Sequence, residues 1–224
     1  MTQTLDYAAV PGVAECRLDA ATLATLPANE APAPWDVDLT GVVWWGRGGR
    51  AAAKAAGAVA GSAVAVIGGL VSYSRTPVGA YHEVYGAVGL RRGRSVVGTI
   101  PFMAVDSPRS LVGGRGNWSL PKCLAEFEGE PGDDVLSARG AGWRVRVRVR
   151  PFGPSYPLAM KGTIEQPWPD GAARQSKLDG KSRGRSAVVH VEVESDHDLP
   201  AWLRPGRHLG AVLSQTGFRL SEAR

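Results

Sequence analysis

Asn117-Trp118-Ser119-Leu120-Pro121-Lys122-Cys123-Leu124-Ala125 is the stretch on which the reading of this chain turns. Upstream, Asp106-Ser107-Pro108 is a helix start signal and Gly113-Gly114 a stop signal, so a helix is predicted over Ser107 to Gly116. Beyond it the backbone reads as extended, and adjacent residues of extended backbone project to opposite sides. Lys122 and Cys123 therefore face different surroundings.

Working outward, strands are predicted at Val37 to Trp45, Ser62 to Tyr73, Tyr81 to Leu90, Ser95 to Val105, 134–139, 143–150 and His190 to Glu194. An Ala-rich helix is expected at roughly 51–60, and Leu199 to Leu209 reads as a short helix or turn. Residues 1–34 form an N-terminal arm ending in a Pro-rich connector. Residues 151–185, rich in Gly, Pro and charge, read as loop or insertion. No repeat period or convincing linker divides the chain, so residues 1–224 are expected to form a single domain.

The 224 residues suffice for one full hydrophobic core. Apolar content of 44% and charged content of 21% are ordinary for a globular protein, and the 29 Gly and 16 Pro are dispersed, which favours many turns and strands. A net charge of +5 raises a nucleic-acid partner. Excess arginine on solvated faces explains it better, and no nucleic-acid partner is expected. Cys16 and Cys123 are too few for a disulfide framework, the first residues lack a signal-peptide pattern, and a cytoplasmic protein is expected. The uncharged Ala55 to Val71 stretch is Ala/Gly/Val-rich and reads as buried helix and strand rather than a membrane span.

Several motifs fail on their own terms. Gly46-Arg47-Gly48-Gly49-Arg50-Ala51 fits a dinucleotide turn, but no acidic residue lies between Asp38 and Glu83 to hold a ribose. Gly180-Lys181-Ser182 would need a glycine where Gln175 stands. Arg144 to Arg150 alternates Arg and Val strictly, a strand with its valines on the core and its arginines wet or facing acidic neighbours. The four histidines show no metal-ligand spacing, and no G-x-S-x-G elbow appears.

Two stretches carry a family resemblance. Tyr73 followed by Pro77-Val78-Gly79-Ala80-Tyr81-His82-Glu83 resembles the "Tyr, then Pro-Val-Gly-Pro-Tyr-x-Glu" segment of the acetoacetate decarboxylase superfamily, with Ala80 where proline is usual. Gly114-Arg115-Gly116-Asn117-Trp118-Ser119-Leu120-Pro121-Lys122-Cys123-Leu124-Ala125 is similar to that family's Gly-Arg-Glu-x-Trp-Gly-(aromatic or aliphatic)-Pro-Lys-Lys-Leu-Ala. Here Cys123 replaces the second lysine. The resemblance covers roughly residues 70–128.

The resemblance implies a mainly β fold with few helices, an antiparallel cone-like closed sheet or barrel, and a homo-oligomer. It implies a lyase in which Lys122 forms a Schiff base with a small β-keto or 2-oxo acid, most simply to release carbon dioxide. Glu83 is the expected catalytic partner, moving a proton or orienting substrate. Arg47 corresponds to the carboxylate-binding arginine, and Arg115, Trp118 and Tyr81 complete the expected substrate site. The lysine itself supplies the chemistry, so no cofactor or metal is expected.

A free lysine is neutral in only about one molecule in 2,500 at pH 7, and lowering its pKa to about 7–8 takes roughly 3–5 kcal/mol. Burial and a neighbouring cation are the usual means, acetoacetate decarboxylase being the standard case. With Cys123 in place of a cation, desolvation or an arginine such as Arg115 or Arg47 must act instead. Schiff-base aldolase or dehydratase chemistry, or a silent small-molecule binder on the same fold, are the alternatives.

Overall fold

Strict period-2 alternation is what builds most of this molecule. The computed structural model describes residues 6–224; the signal-peptide reading of the first residues rests on Met1 to Leu5 and lies outside them. Ten strands are present among the described residues. They are β1 (Trp35–Arg47), β2 (Ser62–Arg75), β3 (Tyr81–Arg92), β4 (Ser95–Val105), β5 (Lys122–Leu124), β6 (Glu126–Glu128), β7 (Val135–Gly140), β8 (Trp143–Pro167), β9 (Ala173–Ser195) and β10 (Gly206–Leu220). They form one sheet in the order β5-β4-β3-β2-β1-β10-β9-β8-β7-β6, and a further β4–β8 bridge at Gly98–Ile164 curls it into a ring. Pairing is antiparallel except β4–β5 and that bridge. Short helices flank it: α1 (Ala20–Thr25), α2 (Arg50–Ala55), α3 (Pro108–Trp118) and α4 (Leu199–Trp202).

The mainly β, ring-like architecture is the one the sequence implied. The uncharged stretch resolves into the end of α2, a turn and β2, and no helix among the described residues is long and apolar enough to cross a membrane. Along β8, Val145, Val147 and Val149 are buried while Arg144, Arg148 and Arg150 are exposed, and Arg146 lies 3.6 Å from Glu192 of β9.

Residues 151–185 correct the loop reading. They continue β8 and begin β9 as a long two-stranded ribbon, in register from Ser155–Arg185 to Pro167–Ala173. An irregularity between Pro151 and Ser155 absorbs the prolines, which cannot donate to a ladder. Much of the ribbon is solvated, which is why its composition looks like loop.

Two cores share β1. Val42 and Trp44 on one face join Phe102, Trp143, Val147, Val189 and Trp202. Trp35, Val37 and Leu39 on the other join Tyr73, Tyr81, Leu111 and Trp118 in a second cluster. This second cluster surrounds the candidate site.

His82, on the face of β3 opposite Glu83, fastens that strand from behind. Its Nδ1 lies 2.7 Å from Asp106 and its Nε2 3.1 Å from Glu130, with the ring stacked on Phe127. Burial works against the imidazolium, but Asp106 and then Glu130 outweigh it, so folded His82 titrates above its ordinary value of 6.5. A pKa raised in the folded state contributes stability fully below the unfolded value, and that contribution is lost as pH rises through the folded one. The stability difference between wild type and His82→Gln, read from urea unfolding, should therefore be larger at about pH 5.5 than at about pH 9, by at most about 1 kcal/mol for so partly exposed a group. An equal difference at both pH values would show that the carboxylates do not hold the imidazolium.

Candidate active site

Helix α3 delivers the lysine. Ser107 Oγ accepts from Ser110 N at its start, and Pro108 occupies the first turn. The helix does not stop at Gly113-Gly114 but runs to Trp118, because those glycines are packing surfaces. A Cβ on Gly113 would lie 2.5 Å from the Trp35 ring, and one on Gly114 2.5 Å from Cδ of Lys122. The helix ends at Ser119 in the left-handed conformation (φ 54°), which a non-glycine residue adopts at a cost of about 1 kcal/mol. The Ser119 hydroxyl donates to Pro167 O at 2.7 Å. The chain then turns into β5, where Lys122 pairs with Met103 and Cys123 with Ala104.

The two neighbours diverge as extended geometry requires. Cys123 Sγ donates to Met103 O at 3.5 Å, in contact with the Cys16 thiol, which burial pushes well above its ordinary pKa. The Lys122 side chain, 3% exposed, runs over Gly114 into a cavity of about 510 Å³. Its Nζ lies 2.8 Å from Glu83 Oε2, 2.8 Å from Ser110 Oγ and 3.4 Å from Tyr81 OH. Tyr73 OH donates to the second Glu83 oxygen at 3.2 Å and stacks its ring on Tyr81.

Burial pulls the Lys122 pKa down, but Glu83, and after it Tyr81, raise it by more, so the resting amine is an ammonium titrating above the usual lysine value. Burial pushes Tyr81 up to about 12 despite Lys122 beside it. Tyr73 and Tyr85 are raised by burial and then by Glu83. All three are neutral phenols at working pH, able to donate a hydrogen bond but not to act as resting bases. The site can pass a proton between Lys122 and Glu83, and its walls are mostly apolar: Trp35, Val37, Val71, Ile100, Trp118 and Phe218 are among them.

Of the residues singled out in the sequence, Lys122, Glu83, Tyr81 and Trp118 meet at this cavity; Trp118 is anchored by its indole N–H to Ser221 O. Arg115 and Arg47 do not. Arg115, 1% exposed, donates to the main-chain oxygens of Lys122, Tyr7 and Cys16, pinning the lysine's backbone to the N-terminal arm. Arg47 sits exposed at the far end of β1, outside the cavity lining. No arginine among the described residues lines the cavity. Sequence reasoning passed over Ser110 and Tyr85, and gave Tyr73 a place in the family-like motif but no role in the site. Ser110 was within reach, since it lies one helical turn before Gly114 on the same face.

A sequence model of the acetoacetate decarboxylase (ADC) family matches residues 60–151. The fold is similar to that of the enduracididine biosynthesis enzyme MppR, solved with the condensation product of pyruvate and imidazole 4-carboxaldehyde. That likeness has a TM-score of 0.61 at 16% identity and covers 88% of this chain and 90% of that one. An acetoacetate decarboxylase-like enzyme from Sphingomonas wittichii RW1 gives 0.60 at 15% identity, covering 88% and 94%. Acetoacetate decarboxylase from Legionella pneumophila subsp. pneumophila str. Philadelphia 1 gives 0.55 at 14%, covering 88% and 89%. No curated protein sequence matches the chain. The family pattern lies across the middle of the chain, and the fold is acetoacetate-decarboxylase-like over most of its length. Within the matched stretch, the Pro121-Lys122 pair is followed by Cys123.

Gly114→Ala tests how the lysine is seated. Helix propensity alone predicts about 1 kcal/mol of stabilisation, yet the new methyl would fall 2.5 and 2.6 Å from Cδ and Cε of Lys122. The expected outcome is a less stable protein in which Lys122, displaced from Glu83, is labelled faster by an amine-reactive reagent, read by peptide mass spectrometry. A more stable variant with unchanged labelling would falsify the seating.

Proposed function

We propose that this protein is a lyase that forms an imine between Lys122 and the carbonyl carbon of a keto acid, releasing carbon dioxide from a β-keto acid. The observation that carries the reading is the 2.8 Å contact between the buried Lys122 ammonium and Glu83 at the closed end of an apolar cavity. A depressed lysine pKa is one way to obtain a neutral amine; a partner that takes the proton on demand is another. When a substrate excludes water from the cavity, the ion pair loses solvation and the neutral pair gains relative to it.

The proton of Lys122 then passes to Glu83, and the free amine adds to the carbonyl carbon. Glu83 returns the proton to the carbinolamine hydroxyl, water leaves, and a protonated imine faces a carboxylate. The electron pair of the bond to the departing carboxylate flows into the imine, giving carbon dioxide and an enamine. The enamine takes a proton at carbon, drawn from solvent through Glu83, and hydrolysis frees the ketone and the lysine. Apolar walls favour the step, because they deprive a carboxylate of hydration and take nothing from carbon dioxide.

The same imine supports carbon–carbon bond formation, the alternative suggested by the condensation product bound to the enduracididine enzyme. Borohydride reduction with acetoacetate or pyruvate, followed by peptide mass spectrometry, should place a covalent adduct on Lys122 and none in Lys122→Ala. Glu83→Gln should slow its formation by about 10²–10⁴-fold. Carbon dioxide release then distinguishes decarboxylation from condensation with an added aldehyde. If wild type gives no adduct while acetoacetate still raises the melting temperature in Lys122→Ala, the protein is a ligand binder.

A further inference from the structure

The cavity extends well beyond what a molecule the size of acetoacetate would fill. On one face of β3 stand Tyr81, Glu83, Tyr85, Ala87 and Gly89, and all five line it. Alternate residues of a strand are about 6.8 Å apart, so the lined face runs roughly 20 Å from Glu83 to Gly89. Side chains shrink along that path, from tyrosine to alanine to glycine, and the cavity opens as it leaves the amine. Gly98 of β4, paired with Gly89, and Gly162 of β8 continue the small-residue wall.

These glycines are not there for the backbone. None of the three adopts a positive φ. A Cβ on Gly89 would meet Ala65 and Val96 at 3.6 Å, one on Gly98 would meet Thr163 O at 3.7 Å, and one on Gly162 would meet nothing within 4 Å. Gly69 and Gly114 differ, because their missing side chains are replaced by the Tyr85 ring and the Lys122 stem. Glycine inside a strand weakens it, and at Gly89, Gly98 and Gly162 no packing partner within the chain requires it. Gly162 leaves open space and Gly89 and Gly98 leave room for a side chain, all on the lining of the cavity that holds the amine.

Charge is missing from the same path. Among the described residues, the charged side chains lining the cavity are Glu83 and Lys122 at its closed end and the exposed Lys161, which lies 3.8 Å from Asp179. Ile67, Leu213, Ile164 and Phe218 supply its sides.

We infer that the substrate is a carbonyl compound with an extended apolar tail, its carbonyl carbon at Lys122 and its tail lying along β3 past Tyr85 toward Gly89 and Gly98. The inference rests on the imine reading of Lys122 for the position of the carbonyl. Tail recognition itself needs no covalent bond. Each methylene moved from water into the channel strengthens binding about threefold to fourfold.

The test uses 2-alkanones from 2-butanone to 2-pentadecanone, the longest of which reach past Ala87 toward Gly89, with binding measured by calorimetry on wild type and on Lys122→Ala. Borohydride trapping is run in parallel on wild type. Affinity is expected to climb about a hundredfold or more across the series in both proteins. Gly98→Leu and Gly89→Leu, two independent obstructions at sites that accept a Cβ, should each level the series off before its longest members. Chain-length dependence without any borohydride adduct would remove the imine reading and leave the tail channel standing. Adducts with ketones of every length but a flat affinity series would overturn the inference and leave the imine reading intact. A series that climbs equally in both leucine variants would also overturn it, since the tail would then lie elsewhere.

Discussion

A lysine and a glutamate 2.8 Å apart, each 3% exposed, are the constraint around which the second core is arranged. Taking two such ions out of water costs several kcal/mol each, and their attraction offsets this only with good geometry and with the remaining donors and acceptors filled. Tyr73 occupies the second Glu83 oxygen, while Ser110 and Tyr81 receive the other lysine protons. Removing one ion and leaving the other charged would cost about 3–5 kcal/mol, so neither residue is a free choice once its partner is present. An apolar pair of similar volume would serve stability as well or better. Retention of a costly pair in a cavity is what a chemical role explains and packing does not.

The cysteine after the lysine changes how that pair works. Its thiol turns away from the cavity toward Cys16 and the carbonyl of Met103, so it contributes no field at the amine. Arg115, the nearest candidate substitute, is held by three carbonyls on the far side of the lysine's main chain. The amine is therefore protonated at rest, and in the proposed reaction Glu83, rather than a neighbouring cation, would make it available as a free base. Neutral phenols, not guanidinium groups, line the cavity beside the amine.

How much of this could be read from the residues differs from place to place. Lys122, Glu83 and Tyr81 were legible because two short stretches resembling a known family carry them, and each stretch is local enough in sequence to be recognised without the fold. Arg115 was visible but its use was not, since its acceptors on Tyr7 and Cys16 lie about a hundred residues away in the chain. Arg47 was placed by alignment alone, and the length of β1 carries it beyond the cavity. Residues 151–185 look like loop because a ribbon with solvated faces needs no hydrophobic alternation. Their strand character comes from pairing with each other, which composition does not record.

Ring closure also fixes the order in which this protein can come into being. Trp35 of β1 pairs with Leu220 of β10, and Glu15 in the N-terminal arm accepts from Ser195 and Leu199. Contacts so distant in sequence make folding slow, since long loops must close before any pairing is gained. On a ribosome, the edge of β1 stays unpaired until the last strand has emerged, and an unpaired edge is a template for another chain. β10 thus has a second duty during biogenesis: it seals the strand edge on which a half-made ring would otherwise recruit its neighbours.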